Sequence, residues 1–145
     1  MTYSEKEILA LDTDQKVFDY VIKFLKAQGE ASIGGRGDNA GGWGCAYRGA
    51  KGRKCAVGCL ILDNEYHQHM EGIDIKQILH RGDLERLDPF TDVICALQRL
   101  HDKKSTWHLG GGFSHQGFLS IREVAQKNNL EWEWPEEEVQ KVYLQ

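Results

Sequence analysis

Apolar residues recur at helical spacing in three stretches of this chain. Val17, Tyr20, Val21, Phe24 and Leu25 fall on one face of a helix predicted over residues 13–28. Asp12 followed by Gln15 resembles a capping pair at its start, and Gly29 is a natural stop. A second stripe, Phe90, Val93, Ile94, Leu97 and Leu100, follows Asp88-Pro89, where Asp reads as N-cap and Pro as the first helical residue. Cys95 sits at the border of that stripe, as a small packed residue would. The third stripe is Phe118, Ile121, Val124 and Ala125 in a helix over about 114–128. Shorter helices are predicted over 59–70 and 73–80.

Two segments alternate instead. Residues 45–57 read as a β-hairpin with its turn near 50–52. Cys45 and Tyr47 then share one face, and Cys55 and Val57 share one face of the return strand. An odd-length loop turns both pairs toward the core and sets Arg48 opposite Lys54 on the other side. An even loop shifts the register and removes that pairing. Residues 130–134 alternate apolar with acidic, as an edge strand does. Stretches 30–44 and 102–113 are glycine-bearing loops. The expected fold class is α+β: one compact domain, mostly helical, with a small antiparallel hairpin or sheet. Residues 1–12 and 135–145 are expected to be flexible ends.

Length and composition narrow the classes. At 145 residues, 41% hydrophobic and 28% charged, the chain suits a single globular domain. A net charge of −4 gives no field for sequence-specific nucleic-acid binding, so an anion site must come from a local basic cluster. No apolar run could span a bilayer. The first residues lack the basic start and apolar run of a secretory signal, so a cytoplasmic location with reduced thiols is expected.

Candidate chemistry concentrates in residues 34–59, where glycines precede three of the four cysteines and a basic cluster. Glycine-rich backbone can approach an anion while Arg and Lys supply charge-assisted hydrogen bonds. The ligand-binding candidates are Arg36, Tyr47, Arg48, Lys51, Arg53 and Lys54, with Trp43 or Tyr47 as a face for a ring. The spacing fits neither a P-loop nor a dinucleotide fingerprint. A structural zinc would draw on Cys45, Cys55 and Cys59 with His67 or His69. Close Cys-x2-Cys knuckles are absent, and buried thiols account for the same residues. No cofactor is expected. A nucleophilic reading pairs Cys45 with His101, with Gln28 as an oxyanion donor and Asp102 as an orienter. The order Gln, Cys, His is similar to that of papain-like hydrolases. Neighbouring helical residues diverge, however, so Asp102 can hold His101 only if the helix ends there. His108 and His115 are alternative bases. Finally, Trp132 and Trp134 among Glu131, Glu133, Glu136, Glu137 and Glu138 could form a protein-docking tail, although a tail strand that covers the core with its tryptophans accounts for them more simply.

In combination these motifs resemble a family of small proteins from tailed phages and prophages. The resemblance rests on Gln28-Gly29, Cys45-Ala-Tyr-Arg-Gly49, and Gly52-Arg-Lys-Cys-Ala-Val-Gly-Cys-Leu-Ile61. It continues through Tyr66, Glu71-Gly72, Leu97-Gln-Arg-Leu-His-Asp102 and Trp107. It implies a viral or prophage origin and an accessory role in the host cytoplasm, and it carries over no activity. The leading expectation is a binding protein for a small anionic, nucleotide-like ligand that interferes with a host pathway. A cysteine hydrolase or transferase using Cys45 and His101 is the alternative, and a protein-interaction module is the third reading. Expected partners are a small anionic ligand or a host protein, with a homo-oligomer left open.

Overall fold

The structure is a computed structural model that describes residues 2–33, 45–136 and 138. Among the described residues the α-helices that carry it are α1 (Tyr3–Leu9), α2 (Asp14–Gln28), α3 (Ile75–His80), α4 (Thr91–Asp102) and α5 (His115–Lys127). Short 3-10 turns at Ala50–Gly52, Gly58–Leu60, Gln68–Met70, Glu85–Phe90 and Lys104–Thr106 link them.

Local chemistry sets the helix ends. Thr2 and Glu5 form a reciprocal capping box on α1, within the stretch expected to be a flexible end. Thr13, one residue after the expected Asp12, caps α2 through Lys16 N–H, and Gly29 ends it at φ 77°. Asp74 caps α3 and Ser114 caps α5. Asp88-Pro89 falls inside a 3-10 turn that runs directly into α4. The helix expected over 59–70 is replaced by two 3-10 turns.

Helix α4 packs against α2, α3 and α5 and is the centre of the core. Val17, Phe18, Val21 and Leu25 of α2 meet Val93, Ile94, Leu97 and Leu100 of α4 in one apolar cluster. Each such side chain contributes about 1.5–3 kcal/mol on burial. From α5, Phe118, Ile121, Val124 and Ala125 close the cluster, as their spacing predicts.

The α+β expectation is overturned. Among the described residues there is no strand, only isolated antiparallel bridges between Ile33 and Cys45 and between Trp107 and Phe113. The reason lies in where the backbone N–H groups of residues 45–57 go. Tyr47 and Arg48 donate to the Glu71 carboxylate, Lys54 to the Gln28 side chain, and Val57 to the Gln98 side chain. Side-chain acceptors thus take the donors that a hairpin ladder would use. The same happens near the C-terminus. Gln15 donates to the Glu131 carbonyl and accepts from the Glu131 N–H, so residues 130–134 pair with a side chain rather than a strand. The described residues are therefore helical without a sheet, with extended segments clasped onto helices.

The tryptophans that could have formed a docking tail instead pack against the core. Trp132 stacks on Phe118, and Trp134 stacks on His115 with the Arg122 guanidinium also over its ring. No helix of the described residues is long and apolar enough to cross a membrane.

Candidate functional site

Cys45 opens the segment that crosses the end of α4. Glu71 holds this segment by accepting from Tyr47 N–H at 2.9 Å, Arg48 N–H at 3.1 Å and the Tyr66 hydroxyl at 2.6 Å. Gln98 fixes it from the other side, because its amide donates to Cys45 Sγ at 2.9 Å. The same amide nitrogen donates to Asp102 Oδ1 at 2.9 Å, one turn along α4, while the amide oxygen accepts from Val57 N–H.

His101 is almost wholly buried beside this network. Its Nε2 accepts from Ser32 N–H at 2.9 Å, and its Nδ1 faces Asp102 Oδ1 at 2.9 Å. An N–H aimed at Nε2 leaves the proton of the neutral ring on Nδ1, which therefore donates to Asp102. Helix α4 ends at Asp102, and that is why two adjacent residues can pair here. The indole N–H of Trp107 donates to the His101 carbonyl and anchors the same turn.

Cys45, His101 and Asp102 thus meet with their polar atoms within 4.8 Å of one another. The nitrogen a catalytic thiol would need as its base is already occupied by Ser32. The thiol's surroundings also favour its proton. A hydrogen bond with Cys55, burial, and the negative charges of Asp102 and Glu71 together push the Cys45 thiol far above the ordinary range. Activated thiols sit in electropositive settings instead. Iodoacetamide should therefore modify Cys45 about tenfold or more slowly than a free cysteine at neutral pH. The rate should keep rising with pH beyond the point where a free thiol levels off. Peptide mapping of the alkylated protein across a pH series checks this, and a plateau at or below neutral pH would revive the nucleophile.

The zinc ligands read from the sequence are not gathered. Among the described residues the one group of three metal-binding side chains is Cys45, His101 and Asp102. The Cys59 thiol donates to Ala56 O, and His67 and His69 are exposed. In the Cys45 group, a nitrogen that carries a proton cannot ligate, and moving that proton to Nε2 would set two N–H groups against each other.

Two of the four described cations of the basic cluster are paired. Arg48 binds Asp63 at 2.7 Å and lies over the Tyr66 ring, with its Nε buried and unpartnered. Arg53 lies 3.4 Å from Glu30. The Gln28 amide, read as an oxyanion donor, brackets Lys54 N–H and C=O. Tyr47 is buried, with its hydroxyl on Ile73 O. Lys51 is exposed at φ 62°. Arg36 and Trp43 lie outside the described residues. Of the alternative bases, His108 accepts from Gly110 N–H in an exposed turn, and His115 sits by Glu138 under Trp134.

Two adjoining clefts open beside Cys45. One, of about 370 Å³, runs from Cys45, Tyr47 and Gln98 past Asp74 to α3. The other, of about 400 Å³, lies between α4 and α5. They share Lys76, Cys95 and Arg99. Lys76, Arg99 and Lys103 make no ion pair among the described residues. Three of the four carboxylates alongside are engaged: Asp74 caps α3, Asp102 receives Gln98 and His101, and Glu123 pairs with Lys127 at 2.7 Å, while Asp92 lies in the first turn of α4.

Compared with protein-family models, curated proteins and solved structures, the chain matches none.

Sequence reasoning singled out Cys45, His101 and Asp102, which the fold brings together. It missed Gln98 and Glu71. Gln98 was discoverable from its spacing, since on a helix it shares a face with both His101 and Asp102. Lys76 on α3 and the Arg99–Lys103 pair at the end of α4 left no joint signal, because helix packing brings the two elements together.

Proposed function

We propose that this chain binds a small anionic ligand in the joined clefts beside Cys45, as an accessory protein of the phage type its motifs resemble. One observation supports this reading above the others. Three cations without ion-pair partners among the described residues, Lys76, Arg99 and Lys103, line clefts in which three of the four carboxylates, Asp74, Asp102 and Glu123, are already engaged. Arg99 and Lys103 stand in and just after the last turn of α4. An anion there gains charge-assisted hydrogen bonds from side chains that need not first break a salt bridge. The ligand class expected from the basic segment is kept, and the cations that serve it change.

Calorimetric titration with inorganic pyrophosphate and with AMP tests the proposal. Saturable binding that weakens with added salt is expected. Lys76→Ala or Arg99→Ala should each weaken it about tenfold or more, the worth of one charge-assisted hydrogen bond. Arg48→Ala should leave the affinity within about twofold, since a surface pair contributes little. Loss of binding in Arg53→Ala or Lys54→Ala with no effect at Lys76 would return the site to the basic segment. Absence of heat with either probe would remove the anion reading.

A further inference from the structure

We infer that the anion held in the joined clefts also carries an amino group, which Asp102 receives through Oδ2 while Arg99 and Lys76 hold the anionic end. The inference rests on the anion-binding reading above and narrows its ligand class. It starts from the balance of charge. The joined clefts are lined by as many carboxylates as cations. A purely anionic ligand meets repulsion there as well as attraction, whereas a ligand that bears both kinds of group gains from each.

The two kinds of group are sorted in space. Lys76 and Arg99 stand where the clefts meet, while Asp74 and Asp102 line only the cleft that reaches Cys45. Asp74 Oδ1 accepts from Lys76 N–H, and Asp102 Oδ1 receives Gln98 and His101. Among the described residues no hydrogen bond or ion pair uses the second oxygen of either carboxylate. The neutral side chains of that cleft are already spent. The Gln98 amide serves Cys45, Asp102 and Val57, and the Tyr47 hydroxyl donates to Ile73 O. The side-chain oxygens left over are carboxylate oxygens, whose strongest partners are ammonium and amino N–H groups.

Arg99 and Asp102 lie three residues apart on α4, with Cβ atoms about 5–6 Å from one another. Opposite charges at that spacing commonly close into a pair. Here they form no ion pair, because Asp102 turns Oδ1 to His101 Nδ1 at 2.9 Å and to the Gln98 amide. Asp102 nevertheless stays half exposed at the cleft. The result is an open pair of opposite charges, each able to hold one end of a short amino-bearing anion.

Calorimetric titration of the protein with phosphoethanolamine and with ethyl phosphate compares one anion with and without an ammonium group. GMP against IMP makes the same comparison for a nucleotide, since the two differ by the 2-amino group. In at least one pair the amino-bearing probe should bind about tenfold more tightly, the worth of one charge-assisted hydrogen bond. The pair that shows it tells whether the amine belongs to a small phosphate ester or to a base. Asp102→Asn keeps Oδ1 and puts a donor in place of Oδ2. It should weaken the amino-bearing probe and strengthen its counterpart, whereas a damaged fold weakens both. Equal affinity within each pair, or no heat from any of the four probes, overturns the inference. Pyrophosphate binding in the same preparation then shows that the anion reading survives it. A preference that persists in folded Asp102→Asn overturns the role of Asp102. The unmutated protein's two ratios decide the ligand class whether or not the variant folds.

Discussion

Replacing Glu71 with alanine is expected to cost about 3–5 kcal/mol of stability. That is a large part of the roughly 5–15 kcal/mol that holds a domain of this size folded. The Glu71 carboxylate accepts three hydrogen bonds, two from the backbone of Tyr47 and Arg48 and one from Tyr66. Alanine offers no acceptor, so donors in a partly buried place go unpaired at about 1–3 kcal/mol each. Glu71→Gln should cost less, about 1–3 kcal/mol, since its oxygen still accepts while its NH2 meets a donor. Urea unfolding of the three proteins side by side measures the difference. An alanine variant within about 1 kcal/mol of the unmutated protein would mean that water replaces the carboxylate and that the 45–48 segment does not depend on it.

Gly58→Ala is expected to be nearly as severe, at about 3 kcal/mol or more, because the added methyl has nowhere to go. A Cβ at Gly58 would collide with the carbonyl oxygen of Tyr47 and lie only 2.9 Å from its carbonyl carbon. Backbone cannot swing aside as a long side chain does. The segments carrying Cys45 and Cys55 would have to separate, which would also break the Gln98 clasp on Val57. Gly52→Ala is the control. At Gly52 a Cβ meets nothing within 4 Å, and only the left-handed backbone at φ +73° resists it. That substitution should cost about 1–2 kcal/mol. Thermal unfolding of both variants gives the comparison, and equal losses would show that space at Gly58 is not what glycine supplies there.

These two positions also show why the helices were legible in the sequence and the rest was not. Periodicity and caps found α2, α4 and α5, because a helix satisfies its backbone locally and writes its buried face at fixed spacing. The segment 45–57 alternates like a strand, yet its N–H groups go to Glu71, Gln28 and Gln98, which come from three distant parts of the chain. No window of sequence contains that information. The site divides the same way. Cys45 and His101 stood out by residue type, and the end of α4 at Asp102 allowed the pairing that a continuing helix would forbid. The dense cations at 48–54 drew attention by proximity. In the fold Arg48 and Arg53 are matched to Asp63 and Glu30, while the unpaired cations that line the clefts come from α3 and the end of α4.

The glutamine clasps bear on how this molecule behaves in a crowd. Growth of a sheet from one molecule into the next requires a residue with both its N–H and its C=O turned outward and open. Gln28 closes Lys54 in both directions, and Gln15 does the same for Glu131. Each amide acts as a single-peptide strand that cannot be extended. Two stretches whose composition invites intermolecular β-pairing are thereby sealed at one residue apiece by a group that carries a donor and an acceptor together. Glutamate, with no donor, would leave the carbonyl of each sealed residue open to a neighbour.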